Sequence, residues 1–114
     1  MKKPSKYRSV KTEYNGVIYD SKKEAAYAKT IDFYLETGLI KNLLTQVKFE
    51  WWESHFLGTL KSIDFKRKYI CDFVYFDVTS GQTMYVDVKG FRTAEFKKKK
   101  KIVEHLFNIK ITEK

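Results

Sequence analysis

Apolar and polar positions change period several times along the chain, and each change marks an element. "EYNGVIYDS" sets the turn pair Asn15-Gly16 before a short apolar run over 17–19, which predicts a small hairpin. "SKKE" then offers a capping box, with Ser21 as N-cap and Glu24 at the third helical position. Helical spacing connects Ala28, Ile31 and Leu35 as far as "ETGL", where Gly38 fits the residue just past a helix end. Stepping back along that stripe reaches Glu24, so a carboxylate opens the face turned toward the core.

"LLTQVKFEWWE" alternates Val47, Phe49 and Trp51 against Lys48, Glu50 and Trp52, the signature of a half-buried strand with Trp51 inward. Residues 54–66 carry the weakest pattern and suggest a further hairpin arm with Gly58 near its tip. "KYICDFVYFDV" is apolar on both faces. Ile70, Val74 and Phe76 fall on one and Cys71, Phe73 and Tyr75 on the other, as in a central strand covered on two sides. "TSGQ" at 79–82 reads as a turn and "TMYVDVKG" as the returning strand. "TAEFKKKKKIVEHLF" predicts a second helix with Thr93 as N-cap and Phe96, Val103 and Phe107 on one face, and "IKITEK" a last strand.

Two acidic residues interrupt this pattern. Asp72 lies in the most apolar stretch of the chain, where a carboxylate is costly unless it is paired, hydrogen-bonded or bound to a metal. In "MYVDVKGF", Asp87 and Lys89 are two residues apart and share a face, about 6–7 Å along the strand, while Val86 and Val88 point the other way. A four-residue turn at 79–82 sets Val78 opposite Thr83, Asp72 opposite Lys89 and Val74 opposite Asp87. In that register Asp72, Asp87 and Lys89 share one face, with the carboxylates diagonal neighbours. Side-by-side carboxylates repel unless a cation lies between them, and hard oxygen donors suit Mg²⁺. Lys89 beside it is suited to position a water or offset charge on phosphate. Glu24 has two open readings, helix cap and third carboxylate.

Composition narrows the partner. The 114 residues fit one domain, and 43% apolar content with 17% aromatics is enough for a core. Lys+Arg exceed Asp+Glu by 23 to 14, a net charge of +9, which makes a polyanion the natural partner. Residues 1–13 are expected to form a flexible basic arm, with Lys6 and Arg8 able to lie on phosphates, ahead of a single domain over 14–114. Arg92 and Thr93 precede the second helix, where phosphate is favoured. Within the run 97–101, Lys100 falls on the core stripe, its ammonium expected to emerge at an edge. The lone Cys71 suits a buried thiol in a reducing compartment. The basic start lacks the apolar stretch of a signal peptide, and no run approaches the roughly 18 apolar residues of a membrane span. A cytoplasmic location without membrane contact is therefore expected. His55 and His105 show no metal-ligand spacing.

Asp72, a hairpin, Asp87-Val88-Lys89 and a following helix together resemble the PD-(D/E)XK nuclease superfamily. "KYRSVKTEYNGVIYDSKKEA", "LLTQVKFE", "CDFVYFD" and "VDVKGFRT" resemble, more narrowly, small phage-encoded members grouped with Holliday-junction-resolvase-like and restriction-type endonucleases. The resemblance spans most of the chain outside 54–66, and departs from the motif in having Cys71 where a proline often precedes the first Asp. It implies an α/β restriction-endonuclease-like core: a central mixed sheet of four to five strands flanked by two helices. It implies Mg²⁺- or Mn²⁺-dependent hydrolysis of DNA phosphodiesters, with branched junctions as one substrate. By position, Asp72 and Asp87 would hold metal with the Val88 carbonyl, Lys89 would be the catalytic lysine and Glu24 an accessory carboxylate. Thr93 and Lys97 or Lys100 would meet substrate, and Gln46 would lie near the site. A phage origin would place the protein in the cytoplasm of a bacterial host cell, and double-strand cleavage would call for a homodimer.

Three readings follow. The first is a metal-dependent DNA endonuclease. The second is a non-catalytic DNA-binding module retaining the same fold. The third is a basic adaptor that binds a protein partner and ignores Mg²⁺. The complete set of Asp72, Asp87 and Lys89 favours the first.

Overall fold

A computed structural model describes residues 10–58, 61–88 and 92–114. Lys6, Arg8 and Lys89 lie outside the described residues. β1 (Thr12–Tyr14) and β2 (Val17–Tyr19) form the expected hairpin, closed by Asn15 and Gly16 at φ 52° and 79°, both left-handed as a type I′ turn requires. β1 thus starts inside the segment read from sequence as the arm. α1 (Lys22–Glu36) begins where the capping box predicts, with Ser21 Oγ accepting from the Glu24 N–H at 3.1 Å. It ends in a Schellman motif: Gly38 is left-handed, its N–H reaches the Leu35 carbonyl, and the Leu39 N–H reaches that of Tyr34.

β3 (Ile40–Phe56), β4 (Ser62–Asp77), β5 (Gln82–Asp87) and β6 (Ile111–Glu113) form a four-stranded sheet in that order. β3, β4 and β5 run antiparallel, and β6 is parallel to β5, reached through α2 (Ala94–Phe107). The weak region 54–66 is the outer end of the β3–β4 hairpin, with Gly58 in its turn. Among the described residues, no helix is long and apolar enough to cross a membrane.

The two helices pack on opposite faces. Ala25, Ala28 and Ile31 of α1 cover Phe73, Tyr75, Val86 and Val88. Val103 of α2 joins Tyr69, Cys71, Val74, Trp51 and Ile111. Tyr85 belongs to the second group, between the first group's Val86 and Met84, so β5 alternates faces cleanly. β4 does not. Cys71 and Phe73 were expected on one face, but Cys71 packs under α2 and Phe73 under α1. The phase slips at Asp72. β3 slips at the matching place: Thr45 lies beside Phe73, whereas Val47 packs with Cys71. The cause sits between them, where Gln46 takes φ 53°, a left-handed conformation that breaks strand alternation.

The β4–β5 register also differs from expectation. Asp77 pairs with Gln82 and Phe73 with Val86, so the turn occupies 78–81 rather than 79–82, with Gly81 left-handed. The shift amounts to two residues, which would by itself keep every face, but the slip at Asp72 breaks the phase of β4 beyond Phe73. Continuing the ladder one step sets Asp72 beside Asp87 itself, rather than beside Lys89. Leu35 departs from the core stripe and stands 41% exposed, one residue before the helix end.

Two outcomes check this packing. Ile31→Ala empties a fully buried position and should cost about 2–5 kcal/mol in urea unfolding, while Leu35→Ala should stay under about 1 kcal/mol. Burial, then the charge of Asp87, push the Cys71 thiol up to about 12. At pH 8 the native protein should therefore resist a thiol-specific reagent that labels the denatured chain fully. Rapid native labelling would mean that α2 does not cover this face.

Candidate metal and nuclease site

The acidic residues singled out from sequence gather at the slip in the sheet. Glu24, Asp72 and Asp87 are all buried, Asp87 completely. Ionised carboxylates in such positions require donors. Asp72 Oδ2 accepts the Val88 N–H at 2.8 Å, a bond from the very strand that carries Asp87. Its other oxygen faces Gln46 Nε2 at 3.5 Å. The same nitrogen donates to Glu24 Oε1 at 3.1 Å, so one amide bridges the first helix and the central strand. Asp87 accepts from the Tyr69 hydroxyl. Burial, then this hydrogen bond and the Asp87 charge, raise the Tyr69 pKa well above the usual phenol range and keep it a donor.

Glu24 takes part both in the cap of α1 and in contact with the sheet. Its backbone N–H is held by Ser21, while its side chain is turned to Gln46 and the sheet. Gln46 was placed near the site by resemblance alone. The left-handed backbone that orients it has no signature in the residue type.

A cavity of about 490 Å³ opens beside Asp72, with Gln46, Tyr69, Lys68, Thr93 and Lys99 in its wall. Thr93 is thus at the site as expected, its hydroxyl accepting from the Phe96 N–H at 3.0 Å as the N-cap of α2. The cations differ from expectation. Lys100 does not reach the cavity: its Nζ lies 3.5 Å from Glu113 Oε1, while Arg92 Nε is 3.0 Å from Glu113 Oε2 and Arg92 Nη2 donates to the Lys114 carbonyl. Arg92 and Lys100 therefore tie α2 to the end of β6. Lys97 is exposed and away from the cavity. In the five-lysine run, a step of about 100° per residue decides which side chain faces the cleft. Lys99 takes that place, held 3.2 Å from Glu95, and Lys68 comes from the outer part of β4. Alternation along "KRKYI" puts Lys68 on the face of Ile70, the only signal that could have found it.

Among the described residues, no group of three or more His, Cys, Asp and Glu converges on a metal position. The donor chemistry nonetheless fits Mg²⁺ or Mn²⁺, which are commonly held by one or two carboxylates with waters and substrate phosphate completing the shell. Asp72 and Asp87 are carboxylates on adjacent strands, each with a protein hydrogen-bond donor. No curated protein and no solved structure matches the chain. Residues 4–113 match the family described as "Protein of unknown function (DUF1064)", and the chain belongs to that family.

Proposed function

We propose that the protein is a Mg²⁺- or Mn²⁺-dependent deoxyribonuclease built on a restriction-endonuclease-like core. The observation that carries this reading is the burial of Asp72 and Asp87 on neighbouring strands, Asp72 hydrogen-bonded to the strand of Asp87 and lining an open cavity whose wall also holds Lys68 and Lys99. Asp72, Asp87 and the Val88 carbonyl would hold the cation, which supplies Lewis-acid polarisation of the phosphodiester when bound. Gln46 keeps the Glu24 and Asp72 carboxylates oriented through one amide, and Tyr69 fixes Asp87. Lys89 lies two positions after Asp87 in the sequence and is the candidate catalytic lysine. Lys68, Lys99, Lys6 and Arg8 provide positive charge for the DNA backbone. The net charge of +9 supports a polyanionic substrate.

The non-catalytic alternative draws on the same hydrogen bonds: Asp72 and Asp87 both have protein donors, as structural carboxylates do. The two readings separate on metal dependence. Wild-type protein should cut branched, nicked or linear DNA with Mg²⁺ or Mn²⁺ and not with chelator. Asp87→Asn should lower cleavage by about 10²–10³-fold while DNA binding in chelator survives. Equal cutting by that variant would remove Asp87 from the mechanism.

Gln46→Ala tests the orienting bridge. Half-maximal cleavage should need about 10–100-fold more Mn²⁺, with the rate at saturating metal largely restored. A lowered rate that metal cannot restore would assign Gln46 a different role.

A further inference from the structure

The outer half of the β3–β4 hairpin has one covered face and one bare face. Phe49, Trp51 and Tyr69 turn toward α2. The opposite face carries Lys48 beside Ile70, Glu50 beside Lys68, and Trp52 beside Lys66, and all six are exposed. Trp52 is 67% exposed, an unusual place for so large an apolar ring. Glu50 is paired to Lys66 at 2.7 Å, and Asp64 farther out accepts from Ser54 at 2.6 Å. Among the described residues, Lys48 and Lys68 form no ion pair. Two residues of this face, Lys68 and Ile70, also line the cavity wall together with Asp72.

We infer that this bare ribbon face is a binding track for an unpaired DNA strand, with Trp52 stacking on an exposed base and Lys48 and Lys68 on its phosphates. A base inside a duplex is already stacked on both sides, so the free face of the indole is useful only to an unpaired one. On this face Lys48 and Lys68 lie inward of the ring and Lys66 stands opposite it, which supplies positive charge for a backbone. Lys66, opposite Trp52, lies six residues along β4 from Asp72, about 20 Å. The substrate class is therefore DNA with a single-stranded tail or branch. The track's connection to cleavage rests on the deoxyribonuclease reading, whereas binding to it does not.

The test measures binding of fluorescently labelled DNA to the full-length protein in chelator, comparing a blunt duplex with the same duplex bearing a single-stranded tail. Trp52→Ala should weaken tailed DNA by about tenfold and leave the blunt duplex unchanged. Trp52→Phe should recover most of the loss. Lys68→Gln should reduce the slope of log affinity against log salt by about 0.7–0.9. Because Trp52 is exposed, unchanged thermal unfolding of each variant is expected and confirms that the fold is intact. Equal weakening of both DNAs, no weakening at all, or a change from dimer to monomer in Trp52→Ala would overturn the proposal. The last outcome would make the face a protein interface. Loss of cleavage in Asp87→Asn with no Trp52 effect would leave the nuclease reading standing and remove the track. A Trp52 effect on binding without metal-dependent cleavage would do the reverse.

Discussion

The break in alternation at Gln46 and Asp72 governs everything around it. A strand that keeps its pleat presents one set of residues to one helix along its whole length. Here Gln46 at φ 53° interrupts the pleat of β3, and β4 slips at the facing Asp72. The inner part of the hairpin thus serves α1 through Phe73 and Tyr75, and the outer part serves α2 through Cys71, Tyr69 and Trp51. A left-handed conformation at a residue other than glycine costs about 1–3 kcal/mol and persists only where the surroundings enforce it. The gain is that one long hairpin feeds two cores on opposite faces of the sheet.

At such a crossing the seam is polar. Residues there lie between two hydrophobic clusters, and the seam holds Gln46, Asp72 and, through them, Glu24. Each buried carboxylate has a donor: the Val88 N–H and the Gln46 amide for Asp72, the Tyr69 hydroxyl for Asp87, Gln46 for Glu24. Replacing such a set with apolar residues is often neutral or stabilising for a fold. Stability alone therefore explains poorly why carboxylates from α1, β4 and β5 are all buried, with Asp72 in the wall of an open cavity. The proposed nuclease reading would give them a role beyond stability.

Features encoded by local chemistry were legible in the chain. Both N-caps, the Asn15-Gly16 turn, the Schellman glycine and the strand after α2 depend on residues within a few positions of one another. The shared face expected for Asp72 and Asp87 rested on unbroken alternation along β4, which the slip at Asp72 interrupts. The register itself was not legible, since "TSGQ" and the turn at 78–81 differ by one position and both contain Gly81. The placing of Cys71 failed because the break that moves it belongs to Gln46, twenty-five positions earlier and of a type that gives no warning. The choice of Lys99 over Lys100 depended on helix rotation about α2, which Glu113 and Arg92 set from the far end of the sheet.

The length of the hairpin carries the last step. β3 and β4 run 17 and 16 residues, but β5 pairs only with the inner part of β4, as far as Phe73. Beyond that point the hairpin is a two-stranded ribbon, and such ribbons are marginal in water without a hydrophobic face packed on something. α2 provides that packing on one side through Phe107 against Phe49, 5.0 Å between rings, and through Phe96 near Tyr69. Stability is satisfied by one face, so nothing in folding requires Trp52 on the other. A chain under folding constraint alone would favour polar residues there. An exposed indole among lysines, on a surface whose Lys68 and Ile70 reach the cavity of Asp72, is the feature that the proposed single-stranded DNA track would account for.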